Sequence, residues 1–145
     1  MIENTLFIGF NPGFGCGYDL LLQSWCKDLV ILFNLGYKVV FTQANDYSDL
    51  RGETRVFQTV FKDKVNYFLP AMENPFRAVT HYVQDGRKEG SWSCASTHMY
   101  GLQGWKSDES EGKVTMKQVK EYIGGKEGKA LLKECAQYWK KGAPL

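Results

Sequence analysis

The chain has 145 residues, enough for one domain, of which 43% are hydrophobic and 23% charged. That balance excludes a disordered chain, and no run approaches the roughly 20 apolar residues of a membrane span. A formal net charge of +2 is too small to mark a nucleic-acid binder by itself.

Four scattered cysteines (Cys16, Cys26, Cys94, Cys135) include no C-x-x-C pair, which suggests free thiols in a reducing compartment. The apolar stretch Thr5–Phe10 is too short for a secretory signal. Four Trp, eight Tyr and nine Phe supply both a core and an interaction face.

Taken in chain order, Thr5–Phe10 is a continuous apolar run, the pattern of a strand buried on both faces of a parallel sheet. A glycine-rich turn follows, Asn11-Pro12-Gly13-Phe14-Gly15-Cys16-Gly17. Residues 18–35 then carry helical spacing, with Leu21, Leu22, Trp25, Leu29, Leu32 and Phe33 on one broad face. Gly36 suits the position just past the helix. Tyr37–Thr42 is β-branched and aromatic, as a second strand requires. Residues 43–48 form a loop in which Asp46 or Ser48 can cap a helix over 49–62.

Val65–Leu69, closed by Pro70, is a third strand, and Glu73-Asn74-Pro75-Phe76 is a turn. Trp92–Leu102 is a last strand. The polar stretch 106–112 looks like a linker. Beyond it, Thr115 caps a short helix that Gly124-Gly125 ends, and 126–141 is an amphipathic helix. The expected fold is α/β: a small Rossmann-like, three-layer domain with a mostly parallel sheet and a helical C-terminal tail. The expected units are residues 1–105, 106–112 and 113–145.

Charge is uneven. Residues 113–145 hold eight Lys and three Glu, a balance of +5 that leaves −3 for the rest. Such a tail suits an acidic partner, a lipid surface or RNA through Lys117, Lys120 and the neighbouring Trp139. A solvated helix face explains the same lysines more simply.

The glycine turn stands where phosphate-binding turns stand, after a strand and before a helix. Its spacing, Gly13-x-Gly15-x-Gly17, is not G-x-G-x-x-G. No Lys-Ser/Thr follows Gly17, and Thr42 and Gln43 stand where a ribose-binding acid belongs. A sharp turn and a close helix–strand approach account for these glycines. Cys94-x-x-x-His98 has no second half for a zinc site, and His81 is the only other histidine. Cys94 with either histidine lacks the context of a nucleophile–base pair. Asp46, Asp49 and Glu53 gather after the second strand, where α/β folds place their sites. With Arg51 and Arg55 beside them, a surface ion-pair network is the expected arrangement. No catalytic residue, cofactor or metal site is assigned.

Phe10-Asn11-Pro12-Gly13-Phe14-Gly15, Trp25 in the following helix, the strand ending at Thr42, the acids Asp46 and Asp49, and Asn74-Pro75-Phe76 together form a pattern. Over residues 4–105 it resembles the C-terminal domain of mitochondrial splicing suppressor-like proteins, which often carry an N-terminal MYND zinc finger. The resemblance implies a Rossmann-like domain without established catalytic activity, some of whose relatives act in mitochondrial gene expression and respiratory-complex assembly.

The MYND cysteines and any Cys-Pro motif are absent, so zinc and heme do not carry over. That family's domain usually has a further strand and helix before this turn, whereas nine residues precede Phe10 here. An exposed sheet edge or face that another chain covers is therefore expected. The expected function is a non-catalytic accessory or assembly subunit of an organellar complex: a respiratory or photosynthetic membrane complex, or a mitoribosome. The location is a mitochondrion or, alternatively, a plastid. The alternative function is an RNA- or protein-binding regulator; a small hydrolase or nucleotide-binding enzyme has least support.

Overall fold

A computed structural model describes residues 5–80, 82–83, 92–107 and 109–141. Strand β1 (Leu6–Phe10) runs into the glycine turn, helix α1 (Asp19–Asn34) follows, and β2 (Lys38–Gln43) returns parallel to β1. A π-helical turn (Asp46–Leu50) leads into α2 (Arg51–Thr59). Strand β3 (Val65–Glu73), a ribbon of β4 (Tyr82–Val83) and β5 (Trp92–Ser93), and β6 (His98–Trp105) come next. A short 3-10 turn (Ser110–Gly112), α3 (Met116–Gly124) and α4 (Lys126–Lys141) end the described chain. The predicted Thr115 cap forms as a capping box with Gln118, and Gly36 has φ +70°.

The fold is α/β, but the sheet is not mostly parallel. Its order is β1-β2-β6-β3, and only β1–β2 is parallel. Strand β6 enters antiparallel between β2 and β3. Two features of the sequence force this. A parallel return from β3 needs a helical crossover, and the described residues between β3 and β6 hold only the β4–β5 ribbon. Pro70 lacks an N–H, which suits β3 to a sheet edge, while proline-free β6 can bond on both sides.

One face of the sheet is dry. Phe41 packs against Phe14, Trp25 and Tyr100 with ring centroids 5.7, 5.5 and 5.7 Å apart. Phe33 and Phe57 bring α1 and α2 into the same cluster. Helix α3 packs on α1 and α4 on α2, so the tail helices lie on helices. Arg55 Nε and Nη2 donate to Glu134 at 2.9 and 3.3 Å, tying α2 to α4.

On the other face, the edge strand β1 is exposed. Gly9 faces Phe41 and Trp25, so its alternates Ile8 and Phe10 point the opposite way. Leu6, Ile8 and Phe10 are exposed. The apolar run of β1 therefore does not mark a strand buried on both faces. Phe68 lies over Gly101 on this side, with Lys38 Nζ 5.9 Å from its ring centre.

The glycine turn is seated on backbone. A Cβ on Gly15 would stand 2.1 Å from the amide nitrogen of Glu53, and one on Gly52 1.8 Å from the carbonyl oxygen of Gly15. Gly17 (φ +86°) meets the backbone of Ala136 in α4 in the same way. Gly15→Ala is expected to cost about 3 kcal/mol, the upper range for overpacking. Gly124→Ala, where a Cβ meets nothing within 4 Å, is expected to be neutral or to stabilise by up to about 1 kcal/mol. Urea unfolding followed by circular dichroism checks both.

Candidate functional site

At the end of the sheet where β1 and β2 finish, three turns meet on one residue. Ser96 has φ +59°, a conformation that L residues adopt at a cost. Its amide donates to Asn11 Oδ1 at 3.2 Å, and its carbonyl accepts from Asn74 Nδ2 at 2.8 Å. Its hydroxyl lies 3.0 Å from Thr42 Oγ1. Asn11, itself at φ +48°, donates its own N–H to the Thr42 carbonyl at 2.8 Å. Asn74 is buried and accepts the Phe76 amide at 3.0 Å, the Asx turn that an Asn-Pro-Phe sequence favours.

The two segments that carry the family resemblance are thus bonded through a third. Ser96 was not singled out in the sequence, and no local signal marks it. Its role comes from three partners 85, 54 and 22 residues away.

Around this junction the motif residues divide. Pro12, Phe14, Gly15 and Asn74 are buried, and Trp25 and Gly13 are partly so. Pro75 is exposed, Phe76 is 88% exposed and Phe10 70%. The first group builds the end of the sheet, and the second presents apolar surface from it. Lys117 and Lys120 are exposed on α3, Lys117 paired with Glu121 at 3.9 Å. Trp139 packs edge-on against Tyr47, centroids 6.0 Å apart.

Beneath the glycine turn lies a buried polar group. Glu53 has no exposed surface; its Oε2 accepts from Tyr100 Oη at 2.6 Å and from Gln43 Nε2 at 2.9 Å. Asn45 caps the π-helical turn, accepting from the Ser48 and Asp49 amides at 2.9 and 3.1 Å. These acids do not form a surface ion-pair network with the arginines. Arg55 pairs with Glu134, Arg51 lies 4.4 Å over the Tyr138 ring, and Asp49 and Glu53 are buried. The π turn pulls α2 inward so that Gly52 can touch Gly15, and Glu53 turns into the core.

The remaining chemistry-bearing residues stay apart. Cys94 is buried, its Sγ 2.8 Å from the Ala78 carbonyl oxygen, while His98 Nδ1 lies 3.0 Å from Thr97 Oγ1. His81 lies outside the described residues. Burial raises the Cys16 thiol pKa, with Asp49 and Glu53 adding to the shift. Asp19 places a carboxylate in the first turn of α1, which competes with an anion at that helix end. Among the described residues, no group of three or more His, Cys, Asp or Glu is placed to hold a metal ion. Comparison with protein-family models, curated proteins and solved structures finds no match.

Asn74→Ala removes a buried acceptor and donor while leaving the Phe76 amide and Ser96 carbonyl behind. The expected loss is about 2 kcal/mol, read from the urea midpoint. Asn11→Gly, at an exposed residue of positive φ, is expected to cost less than about 1 kcal/mol.

Proposed function

We propose that this chain is a non-catalytic accessory subunit of a larger organellar assembly, held by protein–protein contact through the β1 side of its sheet. One observation carries the reading: Leu6, Ile8 and Phe10 of the edge strand β1 are exposed on the face away from the helices, and Phe68 of the opposite edge strand is exposed on the same face. Fully burying such a side chain gains about 1.5–3 kcal/mol, and contiguous apolar surface of this kind characterises interaction sites.

The two edges of the sheet support the same face. Strand β3 carries Pro70 and three register shifts against β6, features that discourage strand addition. Strand β1 pairs with β2 residue for residue and holds neither proline nor charge. Its free edge suits an extended partner segment added beside it, with the apolar stripe giving specificity.

The partner that fits is a protein presenting an apolar surface, because the exposed side chains of β1 offer dispersion and burial, with Lys38 the charge beside them. Among the described residues no helix is long and apolar enough to cross a membrane, so attachment to a membrane complex is proposed through protein contacts. The organellar placement rests on the family resemblance alone.

The test is native purification of the tagged chain with crosslinking. A photo-reactive residue at position 8 is expected to crosslink to a partner polypeptide, and one at position 126 is not. Ile8→Lys with Phe68→Lys is expected to abolish the crosslinked assembly while the thermal midpoint of the isolated chain stays within a few degrees. Assembly that survives this pair but is lost on ribonuclease treatment, or on Lys117→Glu with Lys120→Glu, overturns the reading in favour of RNA binding by the basic tail.

A further inference from the structure

Glu53 and Gln43 share one hydrogen bond and leave one oxygen each without a donor. Nε2 of Gln43 reaches Oε2 of Glu53 at 2.9 Å, and Oε1 of each residue is buried with no hydrogen-bond partner. Two acceptors facing no donor are costly in a dry interior. Tyr100 cannot relieve them, because its hydroxyl proton is already directed at Oε2. None of the groups that donate toward the Glu53 carboxyl, Tyr100 Oη, Gln43 Nε2 and the Gly13 amide, is a cation. The arginines on either side in sequence are engaged with Tyr138 and Glu134.

We propose that Glu53 is folded as a neutral carboxylic acid whose Oε1–H donates to Gln43 Oε1. The two side chains then close an acid–amide ring, and a proton holds the seat of the glycine turn. One hydrogen satisfies both orphaned oxygens. A carboxylic acid also fits the lack of a cation, since a lone buried carboxylate is the costlier state.

The groups facing the carboxyl agree. Asp49 from the π turn opposes a second negative charge, while Tyr100 from β6, Gln43 from β2 and the Gly13 amide favour one. Tyr67 from β3 and Cys16 from the glycine turn also face Glu53; burial first raises both their pKa values, so neither supplies a charge that would stabilise an ionised carboxyl. Burial outweighs the favourable bonds and pushes the Glu53 pKa up to about 8.

The location gives the proton a mechanical role. Glu53 follows Gly52, and the Glu53 amide nitrogen would stand 2.1 Å from a Cβ on Gly15. An ionised Glu53 places a desolvated charge directly under the Gly15–Gly52 contact. Above about pH 8 the turn is therefore expected to lose its seat while the rest of the core remains packed.

The direction with pH follows from linkage. The folded protein holds a proton on Glu53 that the unfolded chain releases in the ordinary glutamate range. The contribution is complete below that range and is lost as pH rises toward 8. Wild type and Glu53→Gln, whose amide can donate to Gln43 in place of the acid, are unfolded in urea between pH 5 and 9. The unfolding constant of wild type relative to the variant is expected to rise about tenfold per pH unit until it levels near pH 8.

A second measurement needs no variant. In chain labelled at glutamate side-chain carbons, one carboxyl is expected to titrate well above the others, and amide exchange at Gly15 and Gly52 to accelerate over the same interval. The proposal is overturned if all glutamate carboxyls titrate below pH 6. It is also overturned if the two proteins show parallel pH profiles; an internal water bridging an ionised Glu53 would give both results. Neither measurement involves a partner, so the proposal stands or falls apart from the proposed assembly role.

Discussion

Backbone touches backbone where Gly15 meets Gly52, and the placement of the surrounding elements follows from that contact. No side chain fits at either position, so the turn after β1 and the first turn of α2 are held at one spacing. That spacing drops Phe14 into the aromatic cluster with Phe41, Trp25 and Phe57. It also turns Glu53 inward to Tyr100 and Gln43. On the far side, Gly17 admits α4 through a second close approach at Ala136. The glycine turn is thus filled from both sides by the chain itself. What begins as a phosphate-cradle pattern is a packing joint between the sheet, α2 and the C-terminal helix.

Helices α1, α3 and α4 were legible because their signals are local, whereas the cap expected from Asp46 or Ser48 is supplied by Asn45, which opens a π turn ahead of α2. Spacing of Leu22, Leu29 and Phe33 marked α1, Thr115 marked the start of α3, and Gly124-Gly125 its end. The strand order was not, because it depends on which strand can donate hydrogen bonds on both sides. Pro70 held part of that answer: it confines β3 to an edge and leaves the centre to β6. The run Thr5–Phe10 misled for a related reason. Hydrophobicity alone cannot distinguish a strand covered on both faces from one awaiting cover.

At the candidate site, legibility was uneven for the same reason. Asn11, Gly13, Gly15 and Asn74 stood out from turn chemistry, and each proves to shape the end of the sheet. Ser96 did not stand out, since its three bonds span 54, 22 and 85 residues. Asp46, Asp49 and Glu53 looked alike as neighbouring acids, yet only Asp46 is exposed. The π-helical turn separates them, and nothing in their side chains announces it. A buried carboxyl in this place depends on tertiary packing that no window of sequence contains.

The open stripe on β1 has a bearing on the life of the chain before it finds any companion. An uncovered apolar strand without charge or proline is a surface that chaperones hold and proteases clear, and that aggregates when it is neither held nor covered. Under the assembly role proposed above, the abundance of the chain follows the supply of whatever covers it rather than its own rate of synthesis. The residues proposed to make the assembly contact thereby set a ceiling on how many copies persist alone.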